Sequence, residues 1–148
     1  MSYSEEVSSI LNELLEKNYD AEKGYKLAAD KVKNKNLQHF FAERAQERYD
    51  FGHELKTEIR NFGEAPSKGS SLAGDAHRSW MNIKASLSND KDEAVLEEAI
   101  RGERAAVEEY EKVLKNAEIP ASTGNILMKQ KNAIVAALNE VKTLEKQA

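Results

Sequence analysis

The sequence predicts an all-α protein, a bundle of four long helices joined by short turns and one long crossover. Three observations carry this. The chain is rich in Ala, Glu, Lys and Leu and holds only seven Gly and two Pro, a composition that favours helix over strand. Apolar residues recur at steps of three and four in four separate stretches, the spacing of one helix face. The single Gly/Pro/Ser-rich stretch, Gly63-Glu-Ala-Pro-Ser-Lys-Gly-Ser-Ser71, falls between the second and third of those stretches.

The first helix is expected over residues 4–32, with Ser2 or Ser4 as cap ahead of Glu5 and Glu6, where hydroxyls and acids suit a helix N-terminus. Its seam reads Val7, Leu11, Leu14, Asn18, Ala21, Tyr25, Ala28, Val32. The break Lys33-Asn-Lys-Asn36 predicts a tight antiparallel hairpin. The second helix, 36–61, carries Phe41, Ala45, Arg48, Phe51, Leu55 and Ile59, so a charge stands where the stripe calls for an aliphatic residue. After the loop comes a shorter helix, 72–87, with Leu72, Ala76, Trp80, Ile83 and Leu87 on one face. Ser88-Asn-Asp90 then supplies a cap for the third long helix, 90–117, whose seam is Val95, Ala99, Glu103, Ala106, Tyr110, Val113 and Ala117. Pro120 suits the start of the fourth helix, 121–146, with Leu127, Gln130, Ile134, Leu138, Val141 and Leu144.

Four helices of ~26 residues are each ~40 Å long. A loop of ~9 residues followed by a ~24 Å helix spans that distance, so the second and third long helices are expected to run parallel, with the 72–87 helix lying along the bundle and Trp80 buried as its anchor.

At 148 residues the chain fits one domain, 1–148, with a core that needs no disulfide or metal. Cysteine is absent, which excludes a disulfide framework and a cysteine nucleophile. No stretch approaches the ~20 apolar residues of a membrane span, and the N-terminus has no basic-then-apolar leader; a cytoplasmic protein is expected. Net charge is −4, with 22 basic and 26 acidic residues interspersed, so no basic stripe tracks a phosphate backbone and nucleic acid is not an expected partner.

Each long helix carries one polar residue on its apolar seam: Asn18, Arg48, Glu103, Gln130. Counted from the turns, the four meet at mid-bundle. Around them the sequence resembles rubrerythrin-type proteins. Asn18-Tyr-Asp-Ala-Glu-Lys-Gly-Tyr25 resembles their first helix, and Phe41-Ala-Glu-Arg-Ala-Gln-Glu-Arg-Tyr-Asp-Phe51 their second. Gly102-Glu103 matches their third, and Gln130-x-x-Ala133 is the counterpart in the fourth. The whole chain, including Gly74-Asp-Ala-His-Arg-Ser-Trp-Met-Asn-Ile-Lys84, resembles a family of small bacterial ferritin-like proteins of unknown function. Ferritin-like di-iron sites use a Glu on each of two helices and a Glu-x-x-His on each of the other two. By that resemblance Asn18 stands for the first Glu, Arg48-x-x-Phe51 and Gln130-x-x-Ala133 for the two Glu-x-x-His pairs, and Glu103 alone is retained. A guanidinium has five donors and no lone pair for a metal.

Other candidates have plainer readings. Glu43, Glu47, Asp50 and Glu54 lie on a stripe of the second helix away from the apolar seam and read as a solvated face, open to a protein partner or a second copy of the chain. A one-residue slip in the alignment would make Glu47-x-x-Asp50 the altered metal motif, with Glu22 and Glu103 completing a reduced carboxylate set for iron or manganese. His39 and His53 read as surface residues, and His77 as a hydrogen bond docking the crossover next to Trp80. Tyr25 and Tyr110 read as core. Gly24, Gly52 and Gly102 inside helices are attributed to close helix approach.

The expected function is a non-enzymatic ferritin-like bundle, binding or structural, without cofactor, and linked to stress physiology by the resemblance. The alternative is a ferritin-like oxidase or peroxidase with iron or manganese on Glu22, Glu47, Asp50 and Glu103. The layer is expected to close on an Arg48–Glu103 pair, with Asn18 and Gln130 hydrogen-bonding to it and Glu22 as a second carboxylate.

Overall fold

The computed structural model describes residues 2–69 and 91–147. Four helices account for most of them: α1 Tyr3–Lys31, α2 Lys35–Asn61, α3 Asp92–Leu114 and α4 Ala121–Gln147. The architecture is an all-α four-helix bundle. The expected crossover helix, with His77 and Trp80, lies outside the described residues.

Helix ends follow the local chemistry. Ser2 caps α1 through a capping box, its hydroxyl accepting from the Glu5 N–H at 3.2 Å while the Glu5 carboxylate accepts from the Ser2 N–H. Asn34 caps α2, its side-chain oxygen accepting from Asn36 and Leu37 N–H at 2.8 and 3.1 Å. After α2, Gly63 takes φ of 80°, the left-handed conformation that lets the Glu64 N–H reach back to the Ile59 carbonyl. The third helix departs from expectation at both ends. It begins at Asp92 behind Lys91, whose ammonium has no acceptor with which to cap the helix; the expected cap Ser88-Asn-Asp90 lies outside the described residues. It stops at Leu114, because Asn116 folds its side chain onto the Glu118 N–H at 2.9 Å and forms a turn. Ala117 is therefore an exposed turn residue and not part of the seam.

The Asp92 carboxylate accepts from the backbone N–H groups of Lys33 and Asn34 at 2.9 and 3.0 Å. The start of α3 is thereby fixed at the α1–α2 turn. At the other end the Tyr3 hydroxyl donates to the Glu118 carbonyl at 2.7 Å. Since α2 also starts at the α1–α2 turn, α2 and α3 run parallel, as expected. The chain leaving α2 climbs α1: Asn12 bonds Ala65 and Ser67, and the Tyr19 hydroxyl donates to the Ser67 carbonyl at 3.1 Å. Within each hairpin the helices pack closely, and α1 also faces α3 while α2 faces α4. Neighbours are therefore antiparallel and diagonal partners parallel.

Two apolar clusters form the core. One, toward the α1–α2 turn, gathers Tyr25, Phe40, Phe41, Leu96 and Val141 among small residues such as Ala21, Ala28, Ala45 and Ala99. The other, toward the opposite end, holds Leu11, Leu14, Leu15, Leu55, Ile59, Leu127 and Ile134. On α1, α2 and α3 the boundary between the clusters falls at Asn18, Arg48 and Glu103.

Gly52 is buried on α2 facing Leu15, yet a Cβ there would sit 3.4 Å from the Leu15 Cδ1, at ordinary contact distance. Close approach alone does not require this glycine. Gly52→Ala is expected to raise stability by up to ~1 kcal/mol through helix propensity, read as a higher urea midpoint; a lower midpoint would mean that Leu15 has no room to yield.

Candidate functional site

The polar residues at mid-bundle are held by the same periodicity that builds the core. Asn18, Arg48, Glu103 and Gln130 are all buried, at 2%, 3%, 1% and 1% exposure. They resolve into two connected groups.

In the first, the Arg48 guanidinium donates to the Glu103 carboxylate across the diagonal from α2 to α3, and the Tyr25 hydroxyl of α1 faces the same carboxylate. Burial is the largest influence on Glu103 and pushes its carboxyl up, against the pull of Arg48 and the Tyr25 hydrogen bond. Burial opposes the charge on Arg48, but Glu103, Tyr25 and Tyr110 together hold it above the ordinary range, so the guanidinium stays charged. Burial, then Glu103, raises the Tyr25 hydroxyl well above its usual value, which keeps it a donor.

The second group runs through Tyr110 of α3. Its hydroxyl accepts from Asn18 Nδ2 at 2.9 Å and donates to Gln130 Oε1 at 2.7 Å. Asn18 Nδ2 also donates to the Leu14 carbonyl at 2.8 Å. Gln130 Nε2 is placed between the Phe51 carbonyl at 3.3 Å and Glu54 at 3.1 Å. The Tyr110 hydroxyl is pushed up to about 12, mainly by burial. Every bond from Tyr110 and Gln130 in this chain crosses between helices, so the group joins α1, α3, α4 and α2 in turn.

The profile of a protein family described as a domain of unknown function (DUF2383) matches residues 6–116. The chain belongs to this family. The matched span takes in Asn18, Arg48 and Glu103 and stops before α4, which contributes Gln130. No match was found among curated proteins.

In this DUF2383 chain the Arg48–Glu103 pair stands where the sequence places it, but three expected partners do not join it. Asn18 and Gln130 bond to Tyr110 instead of to the pair. The reason is spacing: Tyr110 lies two turns after Glu103 on the same face of α3, and its hydroxyl fills the space between the two amides. Glu22, itself largely covered, pairs with the exposed Lys26 at 2.7 Å, one turn away on its own helix, and is not a second carboxylate for Arg48. Phe51 packs in the second apolar cluster and offers its carbonyl to Gln130.

The alternative metal set is dispersed. Asp50 is exposed and accepts from Gln46 at 3.0 Å, and Glu22 is committed to Lys26. Among the described residues the three carboxylates close enough to share one ion are Glu93, Glu97 and Glu145, at the bundle surface. His39 pairs with Glu43 at 2.6 Å on the surface, and His53 is exposed.

Tyr25 and Tyr110 are core residues, as expected, but the sequence reading missed that their hydroxyls serve the polar groups. The signal was available: Tyr110 follows Glu103 by seven residues, two turns of the same stripe. Glu54 is exposed, as its place on the solvated face predicts, and its carboxylate also accepts from Gln130, which the sequence reading missed.

The acidic stripe borders a groove of about 700 Å³ beside α4, lined by Glu43, Glu47, Asp50, Glu54, Tyr49 and Lys129 among others. Glu47 is half-buried there, and burial, offset by Arg44 and Arg48, lifts its carboxyl above the usual range. The folded protein thus holds a proton on Glu47 more tightly than the unfolded chain does. Stability from this group is present at low pH and is lost as pH rises through the folded value. Glu47→Gln is expected to match or exceed the parent in thermal midpoint near about pH 7.5 and to gain less than the parent on acidification toward about pH 4.5, the ordinary carboxylate value at which the window opens. Identical pH profiles for the two proteins would show that Glu47 is solvated.

Proposed function

We propose that this DUF2383 chain is a ferritin-like bundle acting as a non-enzymatic binding or structural protein, its mid-bundle layer closed by protein groups where relatives of the fold hold a metal pair. The observation that carries this reading is the buried Arg48 guanidinium on Glu103. Iron and manganese need lone pairs from carboxylate or imidazole. At the six positions the resemblance assigns to ligands, the chain supplies one carboxylate, two amides, a cation and the apolar Phe51 and Ala133, and the carboxylate is taken by Arg48, with the Tyr25 hydroxyl beside it. The residues present do not fit a metal pair.

The parallel α2 and α3 support the ferritin-like reading, since one long crossover separates that topology from simple up-down bundles. No helix among the described residues is long and apolar enough to cross a membrane. A cytoplasmic, stress-related role rests on the resemblance, and the acidic groove beside α2 is the face offered to a protein partner or a second copy. The competing reading, an oxidase or peroxidase with a reduced carboxylate site, requires bound metal. Elemental analysis of protein purified from iron- or manganese-supplemented medium decides between them: well under one metal per chain is expected, and a stoichiometric content overturns the proposal.

A further inference from the structure

We infer that the polar layer contains a binding site for one internal water molecule, between Asn18 and Arg48. The inference rests on the reading of the layer as closed by protein groups and adds the occupant that completes it.

The orientation of the Asn18 amide is fixed. Its nitrogen donates to both the Leu14 carbonyl and the Tyr110 hydroxyl, and the Tyr110 proton is committed to Gln130. Turning the amide over would set its oxygen against the Leu14 carbonyl. Asn18 Oδ1 is thereby directed away from both partners, buried, and it takes no hydrogen bond from any described residue. A buried acceptor left in that state is costly, and native proteins supply a donor from protein or ordered water.

The donor lies opposite. Leu15 faces Gly52 and the Tyr25 ring packs on Phe41 at 5.8 Å, so the antiparallel register of α1 and α2 sets Asn18 across from Arg48. Both are on core-facing positions of adjacent helices. Arg48 has five N–H donors, and its guanidinium is drawn toward Glu103 on the far diagonal, away from α1. Tyr110 is close enough to feel the Arg48 charge and touches Asn18 directly, which puts all three in one neighbourhood. An acceptor without a donor on α1 therefore stands across from a cation on α2, one of whose five N–H groups is placed on Glu103. Water matches both, donating to Asn18 Oδ1 and accepting from Arg48, and buried waters characteristically join polar groups of this kind. The water would link the Arg48–Glu103–Tyr25 group to the Asn18–Tyr110–Gln130 group as one network.

A crystal structure of the full chain with ordered solvent tests this. One water within hydrogen-bond distance of both Asn18 Oδ1 and an Arg48 nitrogen is expected. Arg48 donating directly to Asn18 Oδ1, with no water between, overturns the inference and leaves the proposed function standing; an anomalous metal peak in the layer overturns both. In solution, oxygen-17 relaxation dispersion should report a long-lived internal water in the parent and its loss in Asn18→Leu, with helix content checked by circular dichroism. A parent that shows none also overturns it.

Discussion

Arg48→Met is expected to destabilise the protein by about 3–5 kcal/mol, the range for breaking a buried ion pair by removing one partner. The loss comes from Glu103, which keeps 1% of its surface exposed and would retain only the Tyr25 hydroxyl in place of a charge. Glu103→Leu strands the guanidinium in the same way. The double variant Arg48→Met/Glu103→Leu leaves no unpaired charge, and apolar replacements of buried ion pairs are often neutral, so its loss should be far smaller than the sum of the singles. Urea denaturation of the four proteins gives the coupling energy. Singles that each lose under ~1 kcal/mol and simply add would show that the two residues act independently.

The second large effect is expected at Phe41→Ala, about 3–5 kcal/mol. Phe41 is fully buried, with ring centroids 5.8 Å from Tyr25 and 5.5 Å from Phe40. Around it stand Ala21, Ala28, Ala45 and Ala99, which have no rotamers with which to fill the space. A cavity that cannot collapse lies at the high end of the range. The change also removes the ring that positions Tyr25, so Glu103 loses a supported donor. Phe62, half-buried near Tyr3 at the bundle end, is the control: Phe62→Ala should lose clearly less. Equal losses would mean that the core around Phe41 repacks.

Much of this fold was legible in the sequence because its pattern is periodic. Helix class, the four long elements and the parallel α2 and α3 followed from the three-four spacing and from one long connection. The Arg48–Glu103 pair followed from two charges interrupting apolar stripes, since a buried charge needs a partner. What escaped is tertiary in origin. Asp92 reads as an ordinary N-terminal acid, and nothing local says that its carboxylate holds the α1–α2 turn. Glu54 sits on an exposed polar stripe, and only the position of Gln130 on a different helix makes its carboxylate an acceptor for the layer. Glu22 has an equally good partner one turn away in Lys26, and the local pair won. Tyr25 and Tyr110 satisfied the apolar pattern so well that their hydroxyls carried no separate signal.

The polar layer pairs the two hairpins at one level. Arg48 to Glu103, and Asn18 through Tyr110 to Gln130, each cross from the α1–α2 hairpin to the α3–α4 hairpin. Apolar packing tolerates small slides of one hairpin along the other, whereas directional bonds at one level do not. A register role of this kind is the best-attested use of buried polar groups.

The central claim, that protein groups and not metal close the middle of the bundle, is tested most directly by urea denaturation of the full chain with excess iron(II), with manganese(II), and with a chelator. A metal that binds only the folded state adds about 2.7 kcal/mol at a hundredfold excess over its dissociation constant. The account predicts the same midpoint in all three conditions; a midpoint that rises with metal and falls on chelation would contradict it.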